Sequence, residues 1–205
     1  MNVLAIGAHP DDIEFGCGGT LLDLKSKGHK IYMMIMTNGE CGGVDPDIRI
    51  KEQMNVAEFL GVEDLIWGGY KDTMIPTNND VITLIDETIK KTNSELIMFN
   101  HVQDTHQDHR ALAKCAISAS RYMKWVLSFE VPTSISFEPS FFVDIGEVMD
   151  RKLELLKLHS SQIDKMRVPH LQITETALAC AYFRGFQGKV KFAEGFFPVR
   201  YLMNW

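Results

Sequence analysis

The chain has 205 residues, 45% hydrophobic and 23% charged, enough for one domain with a full apolar core and cramped for two. Its 21 Lys and Arg against 27 Asp and Glu leave a formal charge of -6, which disfavours nucleic acid as a partner. No run of about 18 apolar residues and no basic leader before an apolar stretch occurs, so a cytoplasmic protein without stable membrane insertion is expected.

Residues 2–7 (N-V-L-A-I-G) predict a strand that enters the turn G-A-H-P-D-D-I-E-F-G-C-G-G, with a helix over 20–27 before Gly28. A second apolar strand, 30–37, ends in N-G-E-C-G-G, where glycines permit turn conformations. A helix over 48–60 follows, with Ile50, Met54, Ala57 and Leu60 at helical spacing and Gly61 as its stop. Strand 64–67, helix 79–91 and strand 95–99 continue a βα rhythm. That rhythm predicts an α/β fold around a mostly parallel sheet with helices on both faces, so Met33, Met34 and Met36 are expected to pack core. The second half is less regular: a helix from near His109, apolar segments at 125–131 and 141–145, and helices over 146–158 and 173–186. Pro198 argues against a central strand position for the aromatic tail. Without a linker or repeat, residues 1–205 are expected to form one continuous domain.

The cysteines, Cys17, Cys41, Cys115 and Cys180, form no CxxC pair and predict buried free thiols. G-C-G-G lacks the dinucleotide spacing, and neither a phosphate-binding GxxxxGK[ST] loop nor a GxSxG elbow is present. Two polar clusters stand at strand ends instead. His9, Asp11, Asp12 and Glu14 follow the first strand; adjacent carboxylates repel and are better tolerated beside a cation, although an Asx-rich helix-capping turn would use the same residues. His101, Asp104, His106, Asp108 and His109 follow strand 95–99, where the alternative is a hydrated polar loop. If the two strand ends meet at a topology switch, the clusters share a crevice. A His/His/carboxylate set with an open position then suits catalytic zinc.

At these residues the sequence resembles the LmbE-like, or PIG-L-like, family of zinc-dependent N-acetylglucosaminyl deacetylases. A-H-P-D-D appears at Ala8 to Asp12, H-x-D-H at His106 to His109, R-x-x-E at Arg49 and Glu52, and H-x-S-Q at His159 to Gln162. The resemblance spans most of 3–162 and implies a Rossmann-like three-layer sandwich without a nicotinamide cofactor. It implies metal ligation by His9, Asp12 and His109, with Zn2+ the expected ion and another divalent metal such as Fe2+ as the alternative. It leaves Asp11 to take a proton from the attacking water and return it to the departing amine. It assigns oxyanion stabilisation to His106 as imidazolium and orientation of that ring to Asp108. Arg49, His159 and Gln162 become substrate-side residues, against an Arg49–Glu52 ion pair on the helix face. His29, His101 and His170 receive no role.

The expected reaction is hydrolysis of the N-acetyl amide of a small amino-sugar derivative. A deacylase for non-sugar amides and a noncatalytic metal-stabilised binding protein are the alternatives. Loops 38–48 and 68–80 are expected to choose the substrate, and apolar side surfaces to allow a homo-oligomer.

Overall fold

The computed structural model describes residues 1–43, 45–163 and 168–203. Its strands are β1 (Asn2–Gly7), β2 (Lys30–Thr37), β3 (Asp64–Tyr70), β4 (Leu96–Asn100), β5 (Trp125–Phe129), β6 (Phe141–Asp144) and β7 (Ala193–Tyr201). Its helices are α1 (Asp12–Ser26), α2 (Pro46–Leu60), α3 (Asn79–Thr92), α4 (Gln107–Ala119), α5 (Met149–Lys157) and α6 (Ile173–Gly188). The sheet order is β3-β2-β1-β4-β5-β7-β6, parallel from β3 through β5 and antiparallel at β7 and β6. This is a Rossmann-like three-layer sandwich.

Alternation along the central strands builds two cores. Val3, Ala5, Met33, Ile35 and Met98 face one side, packed by residues of α1, α2, α5 and α6. Leu4, Ile6, Met34, Met36, Ile97 and Phe99 face the other, packed by α3 and α4. Burial on both faces accounts for the unbroken apolar runs. From β1 the chain moves outward through β2 and β3, then returns to pair β4 with the other side of β1. The reversal creates a crevice at the carboxyl ends of β1 and β4, where open α/β sheets bind ligands. Among the described residues no helix is long and apolar enough to cross a membrane.

Three local expectations are corrected. The first helix starts at Asp12 rather than near residue 20, so G-C-G-G lies inside it. These glycines serve packing: a Cβ at Gly16 would lie 2.1 Å from the buried Phe129 ring. In α2 the buried face is Arg49, Glu52, Gln53, Val56, Ala57 and Leu60, while Met54 is 56% exposed. A polar face turned toward the crevice displaces the simple apolar stripe. Finally, β7 lies between β5 and β6, but β6 covers only Ala193 to Phe196. Pro198 comes after that overlap and beside a register shift in β5, so its missing N–H faces no second strand.

Candidate metal centre

The turn after β1 is held from three directions. The Thr37 backbone N–H and hydroxyl both donate to the Ala8 carbonyl, and the Ala8 N–H donates to Asn100 Oδ1. Arg49 reaches over from α2, donating to the Pro10 carbonyl at 2.6 Å and the Gly39 carbonyl at 2.9 Å. Gly39 leaves room for this guanidinium, since a Cβ there would lie 2.0 Å from Arg49 Nη1. The turn ends at Asp11, whose φ of 93° is unusual for a non-glycine residue and marks stored strain at the start of α1.

This scaffold brings His9 and Asp12 against His109, which sits in the first turn of α4. His9 Nδ1 lies 3.2 Å from His109 Nε2, His109 Nε2 lies 3.3 Å from Asp12 Oδ2, and His9 Nδ1 lies 3.6 Å from the same oxygen. Ligands about 2.0–2.1 Å from a tetrahedral zinc stand about 3.3 Å apart, so one ion fits these three atoms. The opposite ring nitrogens face carboxylates: His9 Nε2 meets Asp72 Oδ1 at 2.9 Å and Asp108 Oδ2 at 3.2 Å, and His109 Nδ1 meets Asp104 Oδ2 at 3.1 Å. Such partners hold the outward nitrogens protonated and leave the inward lone pairs facing the point where an ion would sit. His9 with His106 and His109 is another group close enough to hold an ion, and so is His9 with Asp72 and Asp108. The Asp72 and Asp108 oxygens already accept amide hydrogens from Cys41, Thr73 and Ile75, which marks them as supports.

Without an ion, charge collects on these rings. Burial opposes protonation of His109, but the carboxylates of Asp12 and Asp104 outweigh it and lift its pKa to about 9. Burial would likewise raise Asp72, yet the His9 imidazole and the Cys41 amide bring it down to about 2. Asp11 moves the other way: burial raises it to about 6, with Arg49 pulling against that shift and Asp12 adding to it.

A cavity of about 530 Å³ opens over the cluster, a size suited to a small molecule. His9, Asp11, Asp12, His106, His109, Arg49 and Gln162 all line it, as do Cys41, Gly42, Asp72 and Thr73 from the two expected loops. The wall from Val131 to Thr133, and Ile173 at the start of α6, were not foreseen. His159 does not line the cavity; it is fully buried, 3.4 Å from Glu14, and its imidazole backs the Asp11 turn. Asp108 is also buried, and its carboxylate bonds His9 and backbone amides rather than the His106 ring. Only its backbone N–H meets that ring, donating to His106 Nδ1 at 3.2 Å. An accepting Nδ1 leaves the proton of neutral His106 on Nε2, and burial with neighbouring His9 and His109 lowers its pKa. Arg49 does not pair with Glu52. That carboxylate instead accepts from Ser160 Oγ, Ser161 N and Ser161 Oγ at 2.7–2.9 Å, which joins the R-x-x-E and H-x-S-Q segments physically.

The family model described as PIG-L, GlcNAc-PI de-N-acetylase, matches residues 4–120. The chain is 36% identical over 167 residues to the uncharacterized deacetylase YaiS of Escherichia coli (strain K12), covering 78% of this chain and 90% of that one. The conserved protein TT1542 from Thermus thermophilus shares its fold, with a TM-score of 0.88 at 22% identity over 99% of this chain and 96% of that one. The N,N'-diacetylchitobiose deacetylase from Pyrococcus horikoshii aligns with a TM-score of 0.83 at 25% identity, covering 97% and 83% of the two chains.

Proposed function

The chain belongs to the PIG-L/LmbE-like deacetylase family, and from that premise we propose that it hydrolyses the N-acetyl amide of a small acetylated amino sugar, using Zn2+ and releasing acetate and a free amine. Metal-dependent deacetylase activity rests on the family and the His/Asp cluster. The observation that carries metal-assisted amide hydrolysis is the convergence of His9 Nδ1, Asp12 Oδ2 and His109 Nε2, with the Asp11 carboxyl beside them in the cavity.

His9, Asp12 and His109 would hold the ion, which would supply the Lewis acidity that activates water near neutral pH and polarises the acetyl carbonyl. Asp11 is the base for the attacking water, and the same carboxyl carries its proton to the leaving nitrogen. Burial suits both tasks by raising this carboxyl toward neutrality. His106 donates from Nε2 to the oxygen that gains charge, and its neutral form follows from the amide bonded at Nδ1. Arg49 fixes the Asp11 turn through the Pro10 carbonyl and lies 3.4 Å from Asp11. Gln162 lines the substrate side, while His159 supports from behind. The N,N'-diacetylchitobiose deacetylase of similar fold motivates the sugar assignment.

The test is acetate release from N-acetylglucosamine, N,N'-diacetylchitobiose and non-sugar N-acetyl amines, using zinc-loaded and metal-stripped protein. Turnover of an acetylated sugar that disappears on stripping and returns with metal is expected. Turnover of non-sugar amides alone, or activity indifferent to metal, would refute the proposal.

A further inference from the structure

Asp104 does not line the cavity, yet three donors from different parts of the site meet on its carboxylate. Its side chain is fully buried. Oδ2 faces His109 Nδ1 at 3.1 Å and accepts from Ser134 Oγ at 2.9 Å, while Oδ1 accepts the His106 backbone N–H at 2.8 Å. Ser134 Oγ in turn accepts the Val131 N–H, and Thr105 N donates to the Thr133 carbonyl. We infer that Asp104 is a positioning residue that sets the metal-binding tautomer of His109 and ties that ring to the cavity wall at Val131 to Ser134. The inference rests on the ligand set proposed above.

The chemistry is one of donor and acceptor count. An ionised carboxylate only accepts. Against it, His109 Nδ1 must carry a proton, leaving the Nε2 lone pair beside Asp12 Oδ2 and His9 Nδ1. Thr133 Oγ1, 3.4 Å from the same Nδ1, is a weaker partner that can accept or donate. An Asn at 104 cannot satisfy every donor. If its amide nitrogen takes the Oδ2 position, it faces His109 Nδ1 and favours the tautomer protonated on Nε2, which cannot bind metal through Nε2. If the amide is flipped, its nitrogen meets the His106 N–H.

Competition with a chelator measures this directly. Asp104→Asn should raise the Zn2+ Kd by about 10–100-fold with circular dichroism unchanged. Ser134→Ala, which loses another bond to the same oxygen but leaves the carboxylate, should raise it by less than about 10-fold, below the cost of losing a direct outer-shell partner. The nitrogen-15 histidine spectrum of zinc-loaded wild type should show His109 protonated at Nδ1, a readout that needs no variant. A wild-type Kd in folded D104N, an equal rise in S134A, or an unprotonated Nδ1 would overturn the inference. Wild-type protein that binds no divalent ion would overturn the proposed metal site itself, and this inference with it.

Discussion

Asp11 and Asp12 share one turn but face different tasks. Asp12 Oδ2 also accepts the His9 N–H, so the oxygen that faces His109 Nε2 in the proposed metal site also holds the turn. Asp11→Asn should keep zinc and lower turnover by about 10²-fold or more, the usual scale of a lost general base. Asp12→Asn should instead lose zinc. Metal stoichiometry and acetate release on the same preparations separate the two; near-normal turnover by zinc-loaded D11N would disprove the base assignment. His109 adds a pH dependence to the metal-free protein. Its folded pKa of about 9 exceeds the unfolded value of about 6.5. Its protonation therefore stabilises the fold fully below about pH 6.5 and ceases to do so as pH rises through 9. The Tm of chelator-treated protein should fall across that window, and a flat profile would contradict the coupling. The paired motifs made His9, Asp12, His106 and His109 legible in the sequence. Asp72 was not, because a lone carboxylate just after β3 has no spacing that links it to His9. Nor could sequence show that Asp108 serves His9, since that depends on the rotation of the first turn of α4.

The elements with uniform apolar character were the most readable, and those shaped by close approach the least. Strands β1, β2 and β4 announced themselves because both their faces are buried. Helix α1 reads short in the sequence because three glycines within four residues resemble a loop. In the fold they let α1 approach Phe129, Leu155, Ile145 and Glu194. Two opposed effects meet at Gly16. Alanine would gain about 1 kcal/mol in helix propensity, but overpacking a filled core costs about 1–3 kcal/mol. The 2.1 Å approach to a buried ring puts this site at the severe end, so Gly16→Ala should be net destabilising by about 1–2 kcal/mol. Chemical denaturation checks this, and a neutral or stabilised variant would show that Phe129 does not confine α1. Helix α2 is legible at nearly its correct span but not in its buried face. Arg49, Glu52 and Gln53 are buried because they bind turn carbonyls, Ser160 and Ser161, and Glu14, contacts invisible to apolar periodicity.

At the scale of the molecule, the parallel order places the β1 and β4 ends side by side, and this was foreseeable from the βα rhythm. The antiparallel end was less so, because β7 joins the sheet from the far end of the chain. Its Glu194 accepts from Gly19 N, Thr20 N and Thr20 Oγ1 and pairs with buried Lys152 at 2.6 Å, so the last strand braces the helix that presents Asp12. The switch point, the two helix starts and the bracing strand thus converge on one small volume. What they position is the central claim: a single catalytic ion between His9, Asp12 and His109. An anomalous difference map at the zinc edge, from crystals grown with Zn2+, tests it most directly. The account predicts one strong peak about 2.0–2.2 Å from His9 Nδ1, Asp12 Oδ2 and His109 Nε2. A peak instead among His9 Nε2, Asp72 and Asp108, or none at either position, would contradict it.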